Sequence, residues 1–99
     1  MAKKFDLYKE LQNLGFTAET DRYGRDCLKR HFEKNVEVVW HGTVRSTFDI
    51  TAVFNRDHEV VTVNYSRDVR DPFKTKVHFN QKRALNAIRE TAKNNGFEF

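Results

Sequence analysis

The stretch Thr47-Phe48-Asp49-Ile50-Thr51-Ala52-Val53-Phe54 is apolar at every even position. Its odd positions are Thr47, Asp49, Thr51 and the small Val53. A period of two over eight residues is the pattern of a β-strand with one face buried and the other open. The rest of the chain is organised around this strand. Upstream, Val36, Val38 and Trp40 alternate with Glu37, Val39 and His41, and Gly42-Thr43 supplies a turn. Downstream, Asn55-Arg56-Asp57-His58 is a turn cluster, after which Val61, Val63 and Tyr65 alternate with Thr62, Asn64 and Ser66. A charged loop through Arg67, Arg70, Asp71 and Pro72 leads to a fourth run, with Phe73, Thr75, Val77 and Phe79 set against Lys74, Lys76 and His78. Such short connections predict an antiparallel meander with one face covered by helices. On this reading Arg45, Thr47, Asp49, Thr51, Thr62, Asn64, Lys74, Lys76 and His78 share the uncovered face.

Helices are predicted at both ends of the chain. Leu7, Leu11 and Leu14 recur at helical spacing, Gly15 stops the pattern, and Phe16 follows as the apolar residue that folds back on the last turn. Asn80 is a suitable N-cap for a second helix with the stripe Ala84, Leu85, Ile88 and Ala92, closed by Asn94-Asn95-Gly96-Phe97. Between the first helix and the first strand, residues 17–35 admit two readings. Leu28 and Phe32, four apart, suit a short helix, which is the preferred one; a strand over Asp26–Phe32 is the alternative. Tyr23-Gly24-Arg25 reads as a turn. The expected fold is therefore α+β, one domain spanning 1–99, with an antiparallel sheet of three or four strands and the N- and C-terminal helices packed on one face.

Composition bounds the function. A chain of 99 residues holds one small domain, and 13% aromatic residues give it the bulk to bury a core. The four glycines are widely spaced, so no Gly-rich phosphate loop can be written and no cofactor is expected. The single cysteine, Cys27, excludes an internal disulfide, and neither an apolar leader segment nor a membrane-length apolar run is present. A reduced, cytoplasmic protein with no membrane association is expected.

Candidate chemistry is sparse. His31, His41, His58 and His78 lack local metal-ligand spacing, so no metal site is expected. Asp49, mid-strand among uncharged neighbours, is the one unusually placed acid; with His78 it is the most plausible pair for a small metal-dependent nuclease. Cys27 lies among Arg25, Lys29 and Arg30 but has no identifiable base, which leaves it a small apolar residue. No catalytic residues are assigned and an enzyme is not expected.

Charge carries the best signal. The net charge is +4; basic and acidic residues cancel over residues 1–66, whereas residues 67–99 hold eight Lys and Arg against four Asp and Glu. Within that third, residues 72–89 contain Lys74, Lys76, Lys82, Arg83 and Arg89 without a single acid. Such a run attracts phosphate groups or an acidic protein surface. Lys82 and Arg83 fall in the first turn of the last helix, where cations disfavour the helix itself and free N–H groups favour an anion. Phe32, Phe73 and Phe79 are read as core rather than as stacking platforms. The expected function is a non-catalytic binding module that contacts RNA or DNA through Lys74, Lys76, Lys82, Arg83, Arg45 and Arg89. The alternative is an accessory or inhibitor protein docking on an acidic partner.

The order helix, strands, helix resembles the double-stranded-RNA-binding domain over residues 3–94. Leu7-Tyr8-Lys9-Glu10-Leu11-Gln12 is similar to that family's first helix, and Gln81-Lys82-Arg83-Ala84 looks like the basic start of its last. The resemblance implies that Glu10 or Gln12 would reach the minor groove of duplex RNA while Lys82 and Arg83 bridge the major groove. The sequence departs from the family in the twenty or so residues before the first strand, in the short turn at Gly42-Thr43, and in a last helix with fewer lysines. In general style, the chain also resembles the small accessory proteins of bacteriophages and mobile elements.

Overall fold

A computed structural model describes residues 5–40, 42–67 and 74–99. The chain order is α1 (Leu7–Asn13), β1 (Thr17–Thr20), β2 (Asp26–Val38), β3 (Gly42–Phe54), β4 (Val61–Ser66), β5 (Lys74–His78) and α2 (Gln81–Asn94). The strands form one antiparallel sheet in the order β1-β2-β3-β4-β5, each pairing with its sequence neighbours. The fold is α+β with five strands among the described residues, one or two more than expected from the sequence. His41, Arg70, Asp71, Pro72 and Phe73, which took part in the sequence reading, lie outside the described residues.

Both helices pack on the face that carries Leu28 and Phe32 of β2, Phe48, Ile50, Ala52 and Phe54 of β3, and Val61, Val63 and Tyr65 of β4. Leu7 and Leu11 from α1, and Ala84, Leu85, Ile88 and Ala92 from α2, complete this core. The helix ends follow local chemistry. The Asp6 side chain accepts from Lys9 N–H at the start of α1, and Asn80 accepts from Arg83 N–H at the start of α2. Both helices close with the double bond of a Schellman cap. Phe16 N–H donates to Leu11 O and Gly15 N–H to Gln12 O; Phe97 N–H donates to Ala92 O and Gly96 N–H to Lys93 O. Gly15 and Gly96 hold φ of +92° and +83°, a region where a Cβ is strained. Each cap delivers a phenylalanine, Phe16 or Phe97, into the core.

The helix preferred for residues 17–35 does not form; that segment is the β1–β2 hairpin around the Tyr23-Gly24-Arg25 turn. Leu28 and Phe32 share a strand face with Arg30 between them, and that cation hides the period of two. Arg30 bonds Leu14 O at the end of α1 and lies over the Phe32 ring, 4.5 Å from its centroid. Its charge thereby caps one carbonyl at the helix end while its stem lies against apolar surface.

The β2–β3 hairpin is longer than its supports. Residues 26–29 of β2 pair with β1, and residues 49–54 of β3 pair with β4. Beyond them, residues 33–38 and 42–45 form a two-stranded arm that is exposed on both faces. The core-facing stripe continues into this arm as the cross-strand pair Val36–Val44 and then Val38, all exposed. At the tip, Val39 and Trp40 are 91% and 89% exposed.

Candidate functional site: a cationic groove between the last helix and the sheet edge

The β4–β5 register sets the site. Lys76 lies opposite Val63, Lys74 opposite Tyr65 and His78 opposite Val61, so these three side chains stand on the helix-covered face. The alternation of this strand alone predicts them on the uncovered face, with Thr75 and Val77 in the core. The faces are reversed: Thr75 Oγ1 donates to Asn64 Oδ1 at 2.8 Å on the open side, and Val77 is 52% exposed. Phe79, expected in the core, is 80% exposed, whereas Phe32 is buried as expected. β5 is an edge strand, and lysines tolerate its helix side because their stems cover apolar surface while the ammonium groups reach water.

Between the second half of α2 and the β4–β5 edge is a cavity of about 460 Å³. Phe48 and Tyr65 form its apolar part, and Arg67, Lys74 and Lys76 bring three cations to it. Thr91, Asn94 and Asn95 contribute the helix wall. No carboxylate lines it among the described residues. The Tyr65 hydroxyl is buried without a hydrogen-bond partner among the described residues, a state that costs about 1–3 kcal/mol in a folded protein. Burial raises the Tyr65 pKa, opposed in part by the neighbouring Thr91 hydroxyl, so the phenol stays protonated and able to donate. His78 Nε2 is likewise buried with no partner among the described residues; burial, and then the charge of Lys76, lower its pKa and favour the neutral ring.

The other cations singled out in the sequence are dispersed. Arg83 shares a helix stripe with Ala87 and Thr91, about 12 Å along α2 from Thr91, and so lies on the groove side nearer the helix start. Lys82 borders a shallow cleft with Phe5, Glu59 and Phe79, and Arg89 borders another with Leu14, Lys93 and Phe97. Arg45 is out on the arm, on the opposite face of the sheet, where it pairs with Glu33 at 3.0 Å. Lys74 and Lys76 therefore come together, while Lys82, Arg89 and Arg45 do not join them. Sequence reading missed Arg67. The alternation Val61, Val63, Tyr65 extends to Arg67 and was the signal that placed it on the helix side. Asn94 and Asn95 had been read only as the end of the helix.

The proposed nuclease pair is not assembled. Asp49 points to the open face and His78 to the helix face. Asp49 instead bonds His31: its Oδ1 lies 2.6 Å from Nδ1, and Glu33 Oε1 lies 2.7 Å from Nε2. These two carboxylates raise the His31 pKa above 6.5, with Asp49 the larger influence. The imidazole occupies the space between the carboxylates, and among the described residues no three His, Cys, Asp or Glu side chains are grouped to hold a metal ion. Cys27 is buried, and burial raises its thiol pKa, the reverse of an activated nucleophile. No helix among the described residues is long and apolar enough to cross a membrane. Comparison with protein-family models, curated proteins and solved structures finds no match for this chain.

Proposed function

We propose that this protein is a non-catalytic binding module of the reduced cytoplasm that holds nucleic acid through the groove between α2 and β5. The observation that carries the reading is the convergence of Arg67, Lys74 and Lys76 on one cavity with no carboxylate lining it among the described residues. Phosphate groups answer that arrangement because each neutralised phosphate also releases condensed counterions. Arg83, farther along the same side of α2, extends the positive track. The helix-strand-helix order shared with duplex-RNA-binding domains adds Glu10, Gln12 and Lys82 as contacts to be tested.

Fluorescence anisotropy against labelled duplex RNA, duplex DNA and single strands, each at low and physiological salt, tests the reading. Binding that weakens steeply with salt is expected. In Lys74→Ala/Lys76→Ala the slope of log K against log salt should fall by about one unit per lost cation. Absence of binding to every probe at physiological salt would overturn it.

A second reading has its own observation, the solvent-exposed Val39 and Trp40 at the tip of the β2–β3 arm. Apolar aromatic tips of this kind are what accessory proteins bury in a partner protein. On that reading, Trp40→Ala abolishes a stoichiometric complex that survives salt and leaves nucleic-acid binding unchanged.

A further inference from the structure

We infer that the cavity beneath α2 is a socket for one unpaired nucleotide, with its phosphate among Arg67, Lys74 and Lys76 and its sugar or base edge against Asn94 and Asn95. The inference rests on the reading of the groove as the nucleic-acid site and narrows it to a ligand unit and a strand state.

Shape is the first argument. A duplex presents its phosphates on convex ridges, and these suit an open basic face rather than a hollow. Here the three cations border a cavity of about 460 Å³, walled by a helix on one side and an edge strand on the other. That volume falls within the range of about 300–1,000 Å³ typical of pockets that enclose a small organic ligand. A nucleotide displaced from a stack, or at a strand end, can enter such a hollow; a paired one cannot.

Charge is the second argument. The cations border the C-terminal part of α2, where the helix dipole leaves at most about half a negative elementary charge, reduced further by the cap. Three full positive charges exceed what that helix end can neutralise, and the surplus is available to an anion. Hydrogen bonding is the third. Tyr65 is 5% exposed and lines the cavity, and among the described residues its hydroxyl, beside that of Thr91, makes no hydrogen bond of ordinary geometry. A bound phosphate or sugar oxygen supplies the missing acceptor once the side chains that bury the hydroxyl move aside. The side-chain amides of Asn94 and Asn95 have the paired donor and acceptor that base edges present. Asn95 Nδ2 already donates to Thr91 O at 2.7 Å, which fixes the orientation of its amide.

The shared chemistry is a nucleoside monophosphate unit, and two sources supply it: a free mononucleotide or an unpaired residue of a strand. The experiment is a titration of the full chain with inorganic phosphate, adenosine monophosphate, a labelled single strand of about ten nucleotides, and a blunt duplex of the same length. Three proteins are compared: the unaltered chain, Lys74→Gln/Lys76→Gln, and Tyr65→Phe. Tyr65→Phe keeps the ring in the core and removes only the unpartnered hydroxyl, so its thermal midpoint should be unchanged or higher. Single-strand affinity should nonetheless fall about tenfold in Tyr65→Phe and in the double variant. The mononucleotide should displace the strand, and inorganic phosphate should do so only at much higher concentration.

Duplex bound as tightly as single strand, with no displacement by the mononucleotide, overturns the socket and leaves the nucleic-acid reading standing. Phosphate competing as well as the mononucleotide also overturns it, because the site then recognises only the anion. Unchanged affinity in Tyr65→Phe removes the cavity from the site. Tight mononucleotide binding without strand binding supports the socket and assigns it to a free ligand. No binding of any probe overturns both readings together.

Discussion

The two halves of the β2–β3 hairpin have the same alternation and opposite fates. Near the sheet, Phe32 and Phe48 face each other across the strands and are 6% and 2% exposed. Four residues farther along each strand, Val36 and Val44 face each other in the same register and are 39% and 44% exposed. Length accounts for the difference. The 14 residues of α2 span about 21 Å, whereas 13 residues of β2 or β3 span about 43 Å. One helix with its short tail cannot roof the whole hairpin. The cover ends where Lys34 Nζ donates to Gly96 O at 3.1 Å and lies over the Phe97 ring. Alternation thus defines which side of a strand is apolar, and the reach of the opposing layer decides whether that side is buried.

Substitutions along β3 should reveal the boundary most strongly. Ile50→Ala, at a site with no solvent exposure, is expected to destabilise the fold by about 3 kcal/mol in urea denaturation. Val44→Ala, on the same face of the same strand, should cost less than about 0.5 kcal/mol. Comparable losses at the two sites would mean that the arm is packed in solution and would erase the contrast.

The boundary itself should respond less. Gly96→Ala forces a Cβ into a backbone with φ of +83° and against the Lys34 ammonium, while Phe97, the next residue, covers both Phe32 and Phe48. A loss of about 1–2 kcal/mol is expected, read from the same denaturation curves. An unchanged midpoint would show that the cap does not hold the end of the roof in place.

The smallest effect lies on the open side of the same junction, where Asp49, His31, Glu33 and Arg45 form a chain of ion pairs. The carboxylates raise the His31 pKa, so the folded state binds its proton more tightly than the unfolded chain does. That stability is fully present below the unfolded value of about 6.5 and is lost as pH rises through the raised folded value. Glu33 is shifted down, first by its bond to His31, and its contribution disappears as pH falls. The imidazole is 46% exposed, so water screens the network and the effect on the midpoint is modest. A thermal midpoint that declines from about pH 6 to about pH 8.5, and declines less in His31→Asn, is the expected result. Equal slopes in the two proteins would disconnect His31 from the trend.

The sequence was legible wherever pattern and burial agree. Phe48 to Phe54 and Val61 to Tyr65 place apolar residues under the helices, and both helix caps follow from Gly15-Phe16 and Gly96-Phe97. It was opaque where a polar side chain takes an inward position. Arg30 between Leu28 and Phe32 made a strand look like a helix turn, because only its contacts with Leu14 O and the Phe32 ring explain a cation there. Lys74 and Lys76 likewise stand on the roofed side of β5, so binary patterning reversed that strand. The arm was hidden for the opposite reason: Val36 and Val44 continue the core pattern without a break, and local sequence says nothing about where a distant helix stops. Of the groove, Lys74 and Lys76 are readable from the acid-free basic run; Arg67, Tyr65, Asn94 and Asn95 are joined to that run only by the sheet register and the path of α2.

The strand order also has a consequence for synthesis on the ribosome. Because neighbours in sequence are neighbours in the sheet, each hairpin can close as soon as its second strand has emerged. The roof cannot. Leu7 N–H reaches Gln81 Oε1 across 74 residues of chain, and Ala84, Leu85, Ile88 and Ala92 follow it. Until those residues leave the exit tunnel, α1 is the only helix on this face, and the part that α2 covers, around Val61, Val63 and Tyr65, stays open. The nascent chain is therefore most vulnerable to sticking, and most in need of a chaperone, after β4 has emerged and before α2 is made.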